Sequence, residues 1–258
     1  TTAAQTFTIN PTNFTNNGTL RVTAGTLNVS PANWTNSATG LIEALGGTLS
    51  LSGTNLANAG VISIATATTF NMGGALTLAS LANFNRAAGS TVNLTGTLDL
   101  GGSSLEIGSA GIFGAGGLNS LTGTIKNGTI NSAAGNTLSS AGTGTLDNIT
   151  IGTNLTFSNN SFGIYNGLKL ANGITVNKGS SYFYFYGNQS IAPVNAGDTA
   201  TLTQSGGVMY VATGGTGQTL TLAQSITLQG NGSKLPPQPP PPANPPPPPP
   251  SPGSAGTV

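Results

Sequence analysis

The sequence predicts an all-β protein: a parallel β-solenoid with coils of about 20 to 22 residues, followed by a polyproline II tail. Three observations support this prediction. Short segments alternate apolar and polar residues, related segments return at a nearly constant spacing, and 13 of the 17 residues 236–252 are proline. The domain boundary is therefore placed at the start of the proline-rich stretch, which gives a solenoid domain over 1–232 and a tail or linker over 233–258.

The repeating unit is clearest in residues 13–29, which read NFTNNGTLRVTAGTLNV. It contains two strand-like segments, Thr19–Val22 and Thr26–Val29, in which every second side chain is apolar. This period indicates a strand with one buried face. Segments of four residues do not form a stable sheet alone, so they require copies of themselves to pair with.

The copies return at regular spacings along the chain. The first marker falls at Leu27, Leu49, Leu76 and Leu98, the second at Leu20, Ile42 and Ile62, and the third at Ile125, Leu146 and Leu168, with Leu155 and Ile174 as a further pair. A turn marker, an aromatic residue or leucine between polar residues, predicts one side-chain stack of Phe14, Trp34, Leu56 and Phe84. No segment has the period and caps of a confident helix. Propeller blades of 40 or more residues do not fit this spacing.

Composition narrows the classes of function. Charged residues are 4% of the chain and the net charge is +1, so no electrostatic feature favours nucleic acid as a partner. No apolar run reaches the roughly 18 residues of a spanning helix, which predicts no membrane insertion. The absence of Cys and His excludes disulfides and nucleophile–histidine pairs. The scarcity of surface charge, with Thr, Asn, Ser and Gly in its place, favours an extracellular protein.

A resemblance agrees with the predicted architecture. The segments NNGTL, GTLSL, LDNITI and GLKLANGITV resemble the repeats of bacterial surface proteins of the filamentous-haemagglutinin-like exoprotein and autotransporter passenger type, over about residues 10–232. The resemblance implies a right-handed parallel β-helix, secreted to the cell surface and serving adhesion or acting as a stalk. A recognisable secretion domain and a C-terminal barrel are absent from this sequence.

The carboxylates do not predict an active site. They are Glu43, Asp99, Glu106, Asp147 and Asp198. Only Asp99 and Glu106 are close in sequence, and their positions predict outward side chains on different sides of the coil rather than a catalytic pair. We therefore predict no enzyme activity, no catalytic residue, no metal site and no cofactor.

The spacing of charged residues predicts contacts between coils instead. Arg21 with Glu43, and Asp147 with both Lys126 and Lys169, are separated by one repeat and have opposite signs. Such neighbours on adjacent strands contribute about 0.2 to 1 kcal/mol each. They are expected to set the register of the coils.

An aromatic run gives the candidate interaction surface. Alternation in 182–186 predicts that Tyr182, Tyr184 and Tyr186 face outward and that Phe183 and Phe185 enter the core. Exposed tyrosines can stack on sugar rings or pack on a neighbouring subunit, while packing beneath a loop is the simpler alternative. The prolines of the tail are the second candidate surface: Pro239, Pro240, Pro241, Pro242, Pro245, Pro246, Pro247, Pro248, Pro249 and Pro250.

The sequence thus predicts a structural extracellular protein, a subunit or segment of a cell-surface fibre or adhesin stalk. Self-association into a homopolymer is expected, with the tail of each copy docked on adjacent copies or serving as a spacer. The alternative is an adhesin module that binds glycan or a host surface through the tyrosines, and a carbohydrate-active β-helix enzyme is a remote third reading.

The predicted core follows from the alternation. The side chains expected to be buried are Leu20, Val22, Leu27, Val29, Leu49, Leu51, Leu98, Leu100, Ile149, Ile151, Leu168 and Leu170.

Overall fold

A computed structural model describes residues 5–158, 160–213 and 215–230 of the chain. Over these residues the protein is a parallel β-solenoid of about ten coils with about 22 residues each, as predicted. Neighbouring coils lie about 4.8 Å apart, so the stack is roughly 50 Å long.

The strands are short and follow one another with tight turns between them. Coils one to five contain β1 (Thr6–Ile9), β2 (Asn13–Asn16), β3 (Thr19–Val22), β4 (Thr26–Val29), β5 (Asn33–Asn36), β6 (Leu41–Ala44), β7 (Thr48–Leu51), β8 (Asn55–Asn58), β9 (Val61–Ile64), β10 (Thr69–Met72), β11 (Ala75–Thr77), β12 (Phe84–Arg86), β13 (Thr91–Leu94), β14 (Thr97–Asp99) and β15 (Ser104–Glu106). The later coils contain β16 (Ser120–Leu121), β17 (Thr124–Asn131), β18 (Thr137–Ser139), β19 (Thr143–Ile151), β20 (Leu155–Ser158), β21 (Ser161–Leu170), β22 (Thr175–Asn177), β23 (Tyr182–Tyr186), β24 (Gln189–Pro193), β25 (Ala200–Gln204), β26 (Met209–Thr213), β27 (Leu220–Leu222) and β28 (Ile226–Gly230). Two single-turn 3-10 helices, η1 (Leu78–Leu81) and η2 (Ala133–Gly135), interrupt them.

Each strand pairs with strands one coil away rather than with its neighbour in sequence. The first coils contribute to three sheets, ordered β1-β4-β7-β10-β13-β16, β2-β5-β8 and β3-β6-β9-β12, and the later coils to two, the β11-β14-β17-β19-β21-β23-β26 sheet and β18-β20-β22-β25-β28. No helix in the described part of the chain is long and apolar enough to cross a membrane.

The core is formed by the predicted alternating aliphatic residues. Eleven of the twelve residues expected in the interior are buried. Leu20 is half-buried and packs against this core, because β3 is the terminal strand of its sheet and no described coil covers it on one side.

The predicted alignment of the repeats is right within the first coils and wrong at three later points. Leu27 pairs with Leu49, but Leu49 pairs with Phe70 rather than one coil from Leu76. Leu76 begins a separate sheet, in which it pairs with Leu98. The insertion that leads into β11 therefore shifted the apparent repeat.

The remaining misalignments have similar causes. Phe14, Trp34 and Leu56 stack as predicted, whereas Phe84 pairs with Ile62 in another sheet.

In the later coils, Leu168 pairs with Ile149 rather than with Leu146, because the ladder between β19 and β21 has a bulge after Asp147. Ile174 lies outside the ladder, and Leu155 pairs with Val176.

Asparagines at one corner of the coils explain that bulge. Asn127, Asn148 and Asn166 have φ angles of 56°, 52° and 54°, in the left-handed region that asparagine tolerates better than most residues. Their amides form a ladder, in which Asn148 donates to Asn127 Oδ1 at 3.2 Å and Asn127 donates to Asp99. The chain can therefore turn within a continuous strand.

Arg86 holds the glycine-rich passage that interrupts the strands in the fifth coil. Its guanidinium donates to the carbonyl oxygens of Ser90, Phe113 and Gly117 and, at 2.7 Å, to Asn119 Oδ1. Desolvation lowers the pKa of Arg86 from its ordinary value. The guanidinium thus replaces the strand pairing that this passage lacks.

Truncation of a core leucine tests the packing. Leu49→Ala removes a side chain with 0% exposure and should lower the free energy of unfolding by about 2 to 5 kcal/mol, because a cavity remains between coils. Leu45→Ala is the control, since Leu45 is 49% exposed. Denaturant unfolding of both variants is the measurement, and equal losses would contradict the assigned interior.

Candidate functional site on the tyrosine face

The predicted alternation in β23 is confirmed. Phe183 and Phe185 are fully buried, Tyr182 is 40% exposed, and Tyr184 and Tyr186 are half-buried on the opposite face. Three aromatic side chains therefore face outward from one strand of five residues.

The two neighbouring strands add tyrosines that the sequence analysis did not single out. Tyr165 on β21 lies beside Tyr186, and Tyr210 on β26 is the register partner of Tyr184. All five tyrosines of the chain thus lie on three adjacent strands, a surface named here the tyrosine face. Their spacing in sequence was the signal, since Tyr184 and Tyr210 are one coil apart.

The rings stack along the solenoid axis. Tyr165 and Tyr186 have centroids 4.5 Å apart and planes within 5°, and Tyr184 and Tyr210 have values of 4.9 Å and 5°. Tyr182 lies 6.2 Å from Tyr210 at 17°. The stacked faces cover each other, so each column presents ring edges, hydroxyl groups and its terminal ring faces to a partner.

Phenylalanines beneath the tyrosine face fix the strands that carry it. Phe157 packs edge-to-face against Phe162 and Phe183 at 4.8 and 5.0 Å, and Phe183 against Phe185 at 6.4 Å. Such edge-to-face pairs stabilise beyond their buried area by about 0.5 to 1.5 kcal/mol. The outward tyrosines therefore stand on a rigid support.

A gap and an acidic group shape one side of the tyrosine face. Gly163 is the partner of Tyr184, and a Cβ there would lie 3.3 Å from the Tyr186 ring and 3.4 Å from the Tyr165 ring. Burial raises the pKa of Tyr165, and the nearby Tyr186 and Asp147 raise it further. Tyr165 therefore stays protonated and can donate a hydrogen bond near neutral pH.

The predicted charge contacts are correct in part. Arg21 and Glu43 are register partners, with Arg21 Nη2 2.7 Å from Glu43 Oε1. Lys126 is the register partner of Asp147, but its Nζ forms an ion pair at 3.1 Å with Asp99, on the coil at its other side.

The expected pair of Asp147 and Lys169 is wrong. The bulge after Asp147 places Tyr165 opposite Asp147, and Thr150 opposite Lys169.

A polar groove of about 620 Å³ lies along the first six coils, away from the tyrosine face. An amide ladder lines it, in which Asn33 donates to Asn13 Oδ1 at 2.8 Å and Asn55 donates to Asn33 Oδ1 at 2.5 Å. The Asp99–Lys126 ion pair lies at its other end. Trp34 also lines the groove, and its buried Nε1 has no hydrogen-bond partner among the described residues.

Lys178 is a buried cation near the tyrosine face. Its side chain has 0% exposure, and Nζ donates to the carbonyl oxygens of Ser181 and, at 2.9 Å, Gly206. Desolvation lowers the pKa of Lys178 to about 8. The two carbonyl groups join successive turns of the chain, so the lysine connects the coils that carry Tyr184 and Tyr210.

The other predicted site residues and the metal chemistry can be placed briefly. Within the described residues, no three acidic side chains approach closely enough to hold a metal ion. The candidate prolines Pro239–Pro242 and Pro245–Pro250 lie outside the described residues.

The fold and the surface define the class of protein: a β-solenoid with one aromatic face. No protein family, curated protein or solved structure matches this chain. Its function is therefore inferred from the fold and the surface alone.

The low pKa of Lys178 predicts a dependence of stability on pH. The folded protein loses this proton near pH 8 and the unfolded chain near 10.5, so the unfolded state binds more protons between these values. The free energy of unfolding should therefore rise as the pH increases from about 8 towards 10.

Lys178→Met should remove this rise, while Lys169→Met, at an exposed position, should keep it. Denaturant unfolding at a series of pH values measures the effect. The assignment fails if the two variants show the same pH dependence.

Proposed function

We propose that this chain is a structural extracellular protein, a segment of a cell-surface fibre or adhesin stalk without catalytic activity. The observation that carries the proposal is the use of its charged side chains. Each carboxylate of the chain is held in a local structural contact, and most of these contacts join one coil to another.

The five carboxylates show this individually. Glu43 binds Arg21, Asp99 binds Lys126, Glu106 accepts from the N–H groups of Gly108 and Ala133, Asp147 accepts from Asn166 and Asp198 accepts from Asn195. A carboxylate that serves as a catalytic acid or base must reach substrate with a pKa suited to proton transfer. These carboxylates instead satisfy backbone and side-chain donors within the rod.

The stacked architecture suits a stalk. Each coil contacts the coils on either side of it, so length is gained by repetition and the cross-section stays nearly constant. Hydrogen bonds between coils run along the axis, and a pull along the rod is therefore shared among several strands at each level.

The first coil provides a surface for self-association. Phe7 on β1 is 57% exposed although it belongs to the interior column that continues with Leu27. Among the described strands β1 pairs only with β4, which leaves one edge open. Open edges with exposed apolar residues pair readily with other chains, and this supports assembly into a homopolymer.

The tyrosine face favours a second function, recognition of a glycan or host surface. Tyr182 is 40% exposed, and five phenolic hydroxyl groups are presented within three coils. Ring faces stack on sugars and hydroxyl groups bind them. In this reading the rod presents a binding surface rather than only length.

Assembly and binding can be compared on the same protein. The proposal expects sedimentation velocity and electron microscopy to show oligomers or filaments that grow with concentration. Phe7→Ser should shift them to monomers because it removes the apolar contact at the end of the rod. Val61→Ser is the matched control, since Val61 is exposed on the side of the coils.

The two functions give different outcomes. A protein that stays monomeric at every concentration, and binds a glycan array unless Tyr182 is changed to Ala, would overturn the fibre proposal in favour of recognition. Antibody labelling of intact source cells tests the extracellular location.

A further inference from the structure

The column of Tyr184 and Tyr210 ends with an uncovered ring. One face of Tyr210 stacks on Tyr184 at 4.9 Å. Its strand, β26, is the last of its sheet among the described residues and pairs only with β23. Beside it, Met209 ends the interior column that contains Phe162 and Phe183. The last coil is therefore open above Met209 and Tyr210.

The register at this end of the solenoid shows which residues come next. Phe183 pairs with Met209, Tyr184 with Tyr210 and Gln204 with Gly230, so the last coil is 26 residues long in both sheets. The same step beyond Met209 and Tyr210 leads to Leu235 and Pro236.

The connecting turn has the right length to reach that position. Four residues, 205–208, connect the end of β25 to the start of β26, and four residues, 231–234, separate the end of β28 from Leu235. Gly232 then falls opposite Gly206, which lies in the earlier turn.

The side chains at these two positions match what the open rung lacks. The interior column needs an apolar side chain above Met209, and Leu235 supplies one. The Tyr210 ring needs a flat partner, and a proline ring packs well on an aromatic face, as in the recognition of polyproline by aromatic grooves. Proline carbonyl groups can accept hydrogen bonds from the edge of β26, but proline has no N–H group to donate to a further strand.

We propose that Leu235 and Pro236 form a closing rung on the last coil of their own chain, with Leu235 on Met209 and Pro236 on the Tyr210 ring. The following prolines then prevent another strand from pairing at this end. The tail is thus an intramolecular cap, whereas the sequence had suggested docking on neighbouring copies, and the solenoid continues past residue 232. This inference is independent of the proposed fibre function.

A double-mutant cycle in the full-length chain tests the contact. Pro236→Ser with Pro237→Ser should lower Tm by about 2 to 4 °C, since the closing rung loses its ring contact. The matched control, Pro249→Ser with Pro250→Ser, removes two prolines far from the rung and should leave Tm unchanged. In a Tyr210→Ala background the first pair should have no further effect, because its partner is already absent.

Nitration of tyrosine followed by mass spectrometry gives a second readout that does not need the Tyr210 variant. The first proline pair should raise labelling of Tyr210 several-fold, while Tyr165, which stacks on Tyr186, stays unchanged. Equal effects of the two proline pairs, or an undiminished Tm loss in the Tyr210→Ala background, would overturn the proposal. Protection of Tyr210 that increases with protein concentration would also overturn it, by showing that the tail of another copy is bound.

Discussion

The structure depends on parallel, in-register pairing between coils. This pairing places each side chain directly over its counterpart about 4.8 Å away. Identical residues must therefore tolerate close contact with themselves: leucines pack, asparagines share amide hydrogen bonds and tyrosines stack. Like charges at this distance repel. A chain with 4% charged residues, of which Arg21 and Glu43 are paired with opposite sign, follows from that constraint.

The same constraint decides how much could be predicted from the sequence. Alternation identified the interior because it depends only on the period of a strand, and the early spacings identified register because coils two and three have equal lengths. The pairing of Leu49 with Phe70 could not be predicted, since Leu76 offers an equally good leucine after an insertion. The bulge after Asp147 depends on a left-handed asparagine, which a spacing count does not register.

The tyrosine face shows how a repeating scaffold acquires a local feature. Tyr182, Tyr184 and Tyr186 followed from alternation within one strand, whereas Tyr165 and Tyr210 became evident only when coils of different length were aligned. The Phe157, Phe162 and Phe183 cluster beneath them and the buried Lys178 stiffen the same coils. A stalk needs uniform coils, so a concentration of aromatic residues at one end indicates a contact, with the tail or with another molecule.

Disulfide formation between introduced cysteines tests the register most directly, because the natural chain has no cysteine. Ser50 and Asn71 are register partners on adjacent coils, and their expected Cα separation of about 5 Å suits a disulfide. Ser50→Cys with Asn71→Cys should therefore cross-link completely under mild oxidation, while Ser50→Cys with Thr77→Cys should stay reduced. Cross-linking of the second pair and not the first would contradict the assigned stacking of coils.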